Sequence, residues 1–200
     1  MRLTLVRHGE TVWNQAKKIQ GITDIELSEL GIEQVNKLSL ALQNENFDMI
    51  VTSPLKRALN TAQAIGMHHA LPLIVENDLH ELNAGLLEGL TFQDLRLHYT
   101  DFLNKWMIDH ASVTMPQGES LQEVQDRVWP VIKRITETSE HALVVAHSFV
   151  IITILCKIRN LSLSHSKEMR VGVASKTCLE VKNGTIEVVI FNDTDHLDNS

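Results

Sequence analysis

Cysteine is nearly absent: Cys156 and Cys178 are the only two, both in apolar contexts and with no CxxC pairing. That excludes a disulfide framework and fits reduced thiols packed in the core of a cytoplasmic protein. Linkers rich in Pro, Gly or Ser are missing too, as are charge blocks and internal repeats. The 200 residues are therefore expected to form one domain over 1–192, with a polar tail over 193–200 that can fray. No stripe of Lys and Arg offsets the net charge of -7, which argues against a nucleic-acid partner while leaving room for a local cationic pocket. The most apolar stretch, Ala142 to Cys156, is broken by His147 and Ser148 and falls short of the roughly 20 residues a membrane span needs. Only Met1 and Arg2 precede the first strand, so no signal peptide and no membrane partner are expected. The histidines show no HExxH and no ligand spacing, and no metal or other cofactor is expected. A GxSxG elbow and a Walker loop are also absent. Asp193-Thr194-Asp195 echoes an aspartate-nucleophile motif, but in the tail and not after a first strand.

What is present is a 44% hydrophobic composition, ample for a core, arranged in alternating strand-like and helix-like segments. Leu3 to Val6, Asp48 to Ser53, Leu71 to Val75 and Ala142 to Ala146 read as strands. A helix is expected from Leu27 to about Asn44 with Ile32, Val35, Leu38 and Leu42 on its buried stripe, and another from Leu55 to Gly66, closed by that glycine. His80 to Thr91 reads as a loop, Phe92 to Met107 as helical segments. A long helix follows Glu119-Ser120, with Ser120 and Glu123 in capping-box spacing and Pro130 as a point of kinking. Phe149 to Ile158 reads as a helix, and Thr177 to Val181 with Ile186 to Phe191 as a hairpin turning at Asn183-Gly184. The alternation predicts a three-layer αβα sandwich with a mostly parallel central sheet and an antiparallel edge. Such an exposed edge can support a homodimer.

Three of these strands end in unusual chemistry. Leu3 to Val6 runs into Arg7-His8-Gly9-Glu10, Ala142 to Ala146 into His147, and Asp48 to Ser53 into Pro54-Leu55-Lys56-Arg57. In open α/β sheets ligands bind at the carboxyl ends of strands. If these strands are parallel neighbours, two histidines and two arginines converge on one rim. Arginine offers a planar fork of donors that matches phosphate oxygens, and Asn14 can add an uncharged donor. A neutral imidazole among them, His8, can attack phosphorus, and the arginines oppose its protonation. Expelling an alkoxide needs a proton donor; Glu81, on the loop, is the candidate, with Glu88 as its competitor. Arg127 reads as an internal ion-pair partner, and Trp13 and Trp106 as core or pocket wall.

These residues resemble the histidine phosphatases, the phosphoglycerate mutase-like superfamily, over nearly the whole chain. Arg7-His8-Gly9-Glu10-Thr11, Trp13-Asn14 and Gln20-Gly21-Ile22-Thr23-Asp24 are similar to the opening signature, Ser53-Pro54-Leu55-Lys56-Arg57-Ala58 to the second block, and Glu81, Gly85, Glu88 and Gly89 to the acid loop. Gly118-Glu119-Ser120 with Arg127, and Val144-Val145-Ala146-His147, are similar to later blocks. The resemblance implies the phosphoglycerate mutase-like fold, a phosphohistidine at His8, Glu81 as proton donor, a phosphoryl group held by Arg7, Arg57, Asn14 and His147, and no metal. It also places Gln20, Gly21, Thr23 and Ser148 on the substrate side. Departures fall at Ala84 and Leu87, where the family often carries larger aromatic or His residues, and at Ser148, where many members have Gly.

The expected activity is hydrolysis of a small phosphorylated metabolite. The short interval between Glu81 and His147 and the compact ending favour water as the acceptor over the phosphoryl exchange of a mutase. A mutase, or a silent member that only binds phosphorylated ligands, remains an alternative.

Overall fold

The apolar run after Met1 becomes β1 (Arg2–Arg7), whose four inner residues are all buried, as a strand covered on both faces requires. The computed structural model describes residues 1–182 and 185–198. After β1 come α1 (Val12–Gln15), α2 (Glu29–Leu42), β2 (Met49–Thr52), α3 (Lys56–Gly66) and β3 (Leu73–Val75). Then follow α4 (Phe92–His98), α5 (Thr100–Ile108), α6 (Leu121–Thr138), β4 (His141–Ala146), α7 (Ser148–Ile158), β5 (Lys176–Lys182), β6 (Thr185–Asp193) and α8 (Asp195–Asp198). The strands form one sheet in the order β3-β2-β4-β1-β5-β6. β3, β2, β4 and β1 are parallel, and β5 and β6 close the sheet antiparallel.

Alternation along the strands divides the core. Val6, Ile50, Leu143 and Val145 pack against α2 and α3, whereas Leu3, Leu5, Val51, Ala142 and Val144 pack against α6, α7 and the α4–α5 pair. The result is a three-layer αβα sandwich with a mostly parallel sheet and an antiparallel edge. The register sets the site. Arg7 pairs with Ala146, and Thr52 with Val145, so His8, His147 and Ser53 leave three adjacent strands at the same end.

Several local expectations shift. Ile32 is exposed, and the buried stripe of α2 runs instead through Gly31, Val35, Leu38 and Leu42. Gly31 takes that place because a Cβ there would collide with the Glu10 carbonyl, so the loop leaving β1 lies directly on the helix. Gly66 does not close α3 in a left-handed turn: Met67 is still right-handed, and the positive φ falls at Ala70. Gly66 faces the sheet, where a Cβ would come within 3.3 Å of the Leu73 side chain. Part of the expected tail lies within the described residues, and that part is folded. β6 continues through Asp193, which pairs with Lys176 at 3.2 Å, and Leu197 of α8 packs on the α2–α3 side of the core. The expected turn at Asn183-Gly184 and the end of the tail at 199–200 lie outside the described residues. α6 runs through Pro130 without ending there, and the Ser120–Glu123 capping box forms. Both cysteines are buried and free. No helix among the described residues is long and apolar enough to cross a membrane.

Candidate active site

The rim beyond β1 and β4 gathers His8, His147, Arg7, Arg57 and Glu81. The rings of His8 and His147 are 5.2 Å apart, centroid to centroid, and His8, Arg57, Glu81 and His147 are all buried. The loop that carries His8 is tied to α3: Gly9 N donates to Thr61 Oγ1 at 3.3 Å, and the same hydroxyl donates to the Arg57 carbonyl at 2.7 Å.

The tautomer of His8 follows from its neighbour. Nδ1 lies 2.7 Å from the Gly9 carbonyl, which can only accept, so Nδ1 carries the proton and Nε2 presents a bare lone pair. Burial first, then the charges of Arg7 and Arg57, hold the His8 pKa well below the ordinary histidine range, with the Gly9 hydrogen bond opposing. The ring is neutral at physiological pH.

His147 is set in a similar way. Its Nε2 lies 2.7 Å from Ser53 Oγ, and that oxygen accepts the Leu55 N–H at 3.3 Å. When the Ser53 hydroxyl donates to Nε2, the proton of the neutral ring sits on Nδ1, which makes Nδ1 a donor. Burial, followed by the charges of Arg57, His8 and Arg7, pushes the pKa of His147 well down.

Both guanidinium groups are anchored by backbone carbonyls. Arg7 Nη1 donates to Val171 at 2.6 Å, and Arg57 Nη1 and Nη2 donate to Thr23 and Gly21 at 3.0 and 2.7 Å. Arg7 Nε, Arg57 Nε and His147 Nδ1 are buried with no partner among the described residues. An unpaired buried donor costs about 1–3 kcal/mol. Three such unpaired nitrogens, on two arginines whose charges reach His8 and on the neighbouring His147 ring, suit an anion with several oxygens. Asn14 is half-buried, and its Oδ1 accepts from Thr11 N and Oγ1, each at 3.1 Å, which directs its NH2 away from the cap.

Glu81 is 6% exposed. Its carboxylate accepts from Leu82 N at 2.8 Å and from Phe149 N at 3.4 Å. Burial raises its pKa above the ordinary carboxylate value despite those hydrogen bonds and the charges of Arg57 and Arg7. A carboxyl shifted this way keeps its proton to higher pH than an ordinary carboxylate.

The loop that carries Glu81 is held from α6. Arg127 pairs with Glu119 at 2.8 Å and donates to the carbonyls of Asp78, His80 and Glu81, while Glu119 Oε2 accepts from Asn83 N at 2.9 Å. Gly85 has φ +54°, and a Cβ there would meet the Pro116 carbonyl, so only glycine fits the turn. Glu88, the competitor for the acid role, accepts from Ile22 N and Thr23 N at 2.8 Å each and from Ala84 N at 3.2 Å. It fastens the acid loop to residues 22–23, whereas the Glu81 carboxylate meets the Phe149 N–H, two residues beyond His147.

The other expected substrate contacts divide. Gly21 and Thr23 meet Arg57 through their carbonyls, and the Thr23 hydroxyl donates to Glu88. Gln20 lines a neighbouring apolar cavity, and Ser148 a groove beside Arg7. Three further participants had not been assigned a role: Ser53, which tethers His147, Val171, which anchors Arg7, and the Phe149 N–H on Glu81. Ser53 could have been found from its place at the end of a strand beside His147; a backbone carbonyl or N–H leaves no signal in residue type. Among the described residues, no three His, Cys, Asp or Glu side chains converge as metal ligands do.

A family model described as histidine phosphatase superfamily (branch 1) matches residues 3–194. The chain is similar to phosphoserine phosphatase 1 of Hydrogenobacter thermophilus, 29% identical over 199 residues that span 98% of this chain and 94% of that protein. It is also similar to the uncharacterized phosphatase PhoE of Bacillus subtilis, 34% identical over 156 residues, 77% of this chain and 75% of that one. Among solved structures, mycobacterial glucosyl-3-phosphoglycerate phosphatase aligns with a TM-score of 0.88 at 28% identity, over 96% of this chain and 98% of the other.

Proposed function

The chain belongs to the histidine phosphatase superfamily, and on that premise we propose that it hydrolyses small phosphate monoesters through a phosphohistidine at His8. Its relatives include enzymes named for phosphoserine and glucosyl-3-phosphoglycerate, which supports small phosphorylated metabolites as the substrate class. The observation that supports the residue roles is the trio of buried, unpartnered nitrogens, Arg7 Nε, Arg57 Nε and His147 Nδ1, on residues whose charge or ring adjoins His8.

In this reading the three donors and the Asn14 NH2 bind the phosphoryl oxygens and orient phosphorus toward His8 Nε2. Nε2 forms a bond to phosphorus as the ester P–O bond breaks, and Glu81 gives its proton to the departing alkoxide. The Glu81 carboxylate then takes a proton from water, the resulting hydroxide attacks phosphorus, and the P–N bond breaks to release phosphate and restore neutral His8. Arg7 and Arg57 supply the positive charge, so no metal enters. The reading extends to a cytoplasmic enzyme of metabolites, with neither nucleic acid nor membrane as partner and the antiparallel edge open to a homodimer.

The test is a chelator-treated preparation offered p-nitrophenyl phosphate and a panel of phosphorylated metabolites. Turnover that survives EDTA and disappears in His8→Ala supports the reading. Dependence on added metal contradicts it, and interconversion of phosphoglycerates outrunning phosphate release would make the enzyme a mutase.

A further inference from the structure

A cavity of about 310 Å³ lies between the acid loop and the α4–α5 pair. Its walls include Leu82, Ala84, Leu103, Trp106, Met115 and Phe149. It adjoins the candidate proton donor, because the two backbone N–H groups that hold the Glu81 carboxylate belong to Leu82 and Phe149, both lining residues. The leaving group of an ester bound at the rim therefore emerges next to it.

The chemistry of the walls is selective. No charged side chain lines the cavity among the described residues; Gln20 is its polar exception, and the Gln20 Oε1 is buried without a partner. Trp106, stacked on His110 at 4.0 Å, stands edge-on to Phe149 at 5.6 Å and parallel to Phe102 at 6.2 Å, so the wall is largely aromatic and suits an apolar guest. Seating the carboxylate of a serine or glycerate leaving group here would bury a charge with no cation to meet it. Phe149 also lines a groove of another kind, together with Arg7, Lys167, Arg170 and Asn192.

We propose, resting on the phosphatase reading above, that this enzyme prefers monoesters whose leaving group is an uncharged alcohol with a ring or branched apolar body seated in this cavity. A hydroxyl or N–H on that body would donate to Gln20 Oε1.

The experiment compares 2-phenylethyl phosphate with O-phosphoserine, both esters of primary alcohols, so that leaving-group reactivity does not create the preference. The wild-type enzyme is expected to favour the phenylethyl ester by at least about tenfold in kcat/KM, the scale on which pocket contacts discriminate. Trp106→Ala is expected to bring the ratio toward one, and 2-phenylethanol, but not serine, to inhibit the wild-type enzyme competitively, a readout independent of any variant. Equal or better turnover of phosphoserine, lost in Arg170→Ala, would overturn the proposal and put the leaving group in the cationic groove. Failure to hydrolyse either ester would sink the phosphatase reading and this inference with it.

Discussion

Glu81→Gln separates proton donation from every other role at the site. The glutamine keeps the shape of the side chain, and its carbonyl can still accept from Leu82 N, where the carboxylate now accepts at 2.8 Å. Its NH2 cannot accept from Phe149 N, but that contact is long at 3.4 Å, so the stability cost should stay near ~1 kcal/mol. What disappears is a proton held by a carboxyl whose pKa burial has raised. General acid catalysis contributes roughly 10²–10⁴-fold, or about 3–5 kcal/mol at 1.36 kcal/mol per decade. That contribution is needed in full for an alkyl alcohol and hardly at all for p-nitrophenol, which departs as a stable anion. Stopped-time phosphate release should therefore show kcat/KM for an alkyl phosphate falling by about 10²–10⁴-fold, while p-nitrophenyl phosphate loses far less. Equal losses on both esters would mean that Glu81 positions the substrate and donates nothing.

Other substitutions test the supports. Arg127→Ala removes a half-buried ion pair and three hydrogen bonds to the acid-loop carbonyls; it should cost about 3 kcal/mol, lowering Tm on the order of 6–12 °C in calorimetry, and an unchanged Tm would count against the brace. Ser53→Ala breaks the 2.7 Å contact to His147 Nε2 and frees the ring to change tautomer, so kcat/KM should fall by about tenfold alongside a Tm loss of at least about 2–4 °C from the buried groups left unpaired; wild-type rates would refute the tether. The pH profile of kcat/KM for an alkyl ester should be bell-shaped. Protonation of His8 is the inactivating event on the acid side, and since its pKa lies well below 6.5, activity should persist as pH drops past that value. Ionisation of Glu81 is inactivating on the alkaline side, at a pKa above 4.5. A single limb, or an acid limb near 6.5, would contradict these assignments.

The site was legible because its strands announce themselves. β1 and β4 are unbroken apolar runs, each ending in an ionisable residue, and parallel pairing carries Arg7-His8 and His147 to one rim. Arg57 and Glu81 stood out by residue type, as groups able to bind phosphate or hold a proton, and the fold brings the two groups together in a buried site. Less visible was the work of the backbone. Gly21 and Thr23 hold Arg57 through carbonyls, Val171 does the same for Arg7, and a carbonyl is alike whatever its side chain. The stripe of α2 was misplaced at Ile32 because periodicity counts apolar residues and cannot register that Gly31 is buried for want of a Cβ. Gly66 likewise reads as a left-handed helix stop from composition, yet the chain stays right-handed through Met67 and turns left-handed only at Ala70.

The central claim is that phosphorus passes through a bond to one nitrogen of one histidine. Rapid quenching of the enzyme during turnover of a radiolabelled ester, followed by alkaline digestion and peptide mapping, reads this directly. The account predicts an acid-labile, base-stable label on Nε2 of His8, absent from His8→Ala. Label on His147, on a carboxylate, or on no residue at all while turnover proceeds would contradict it.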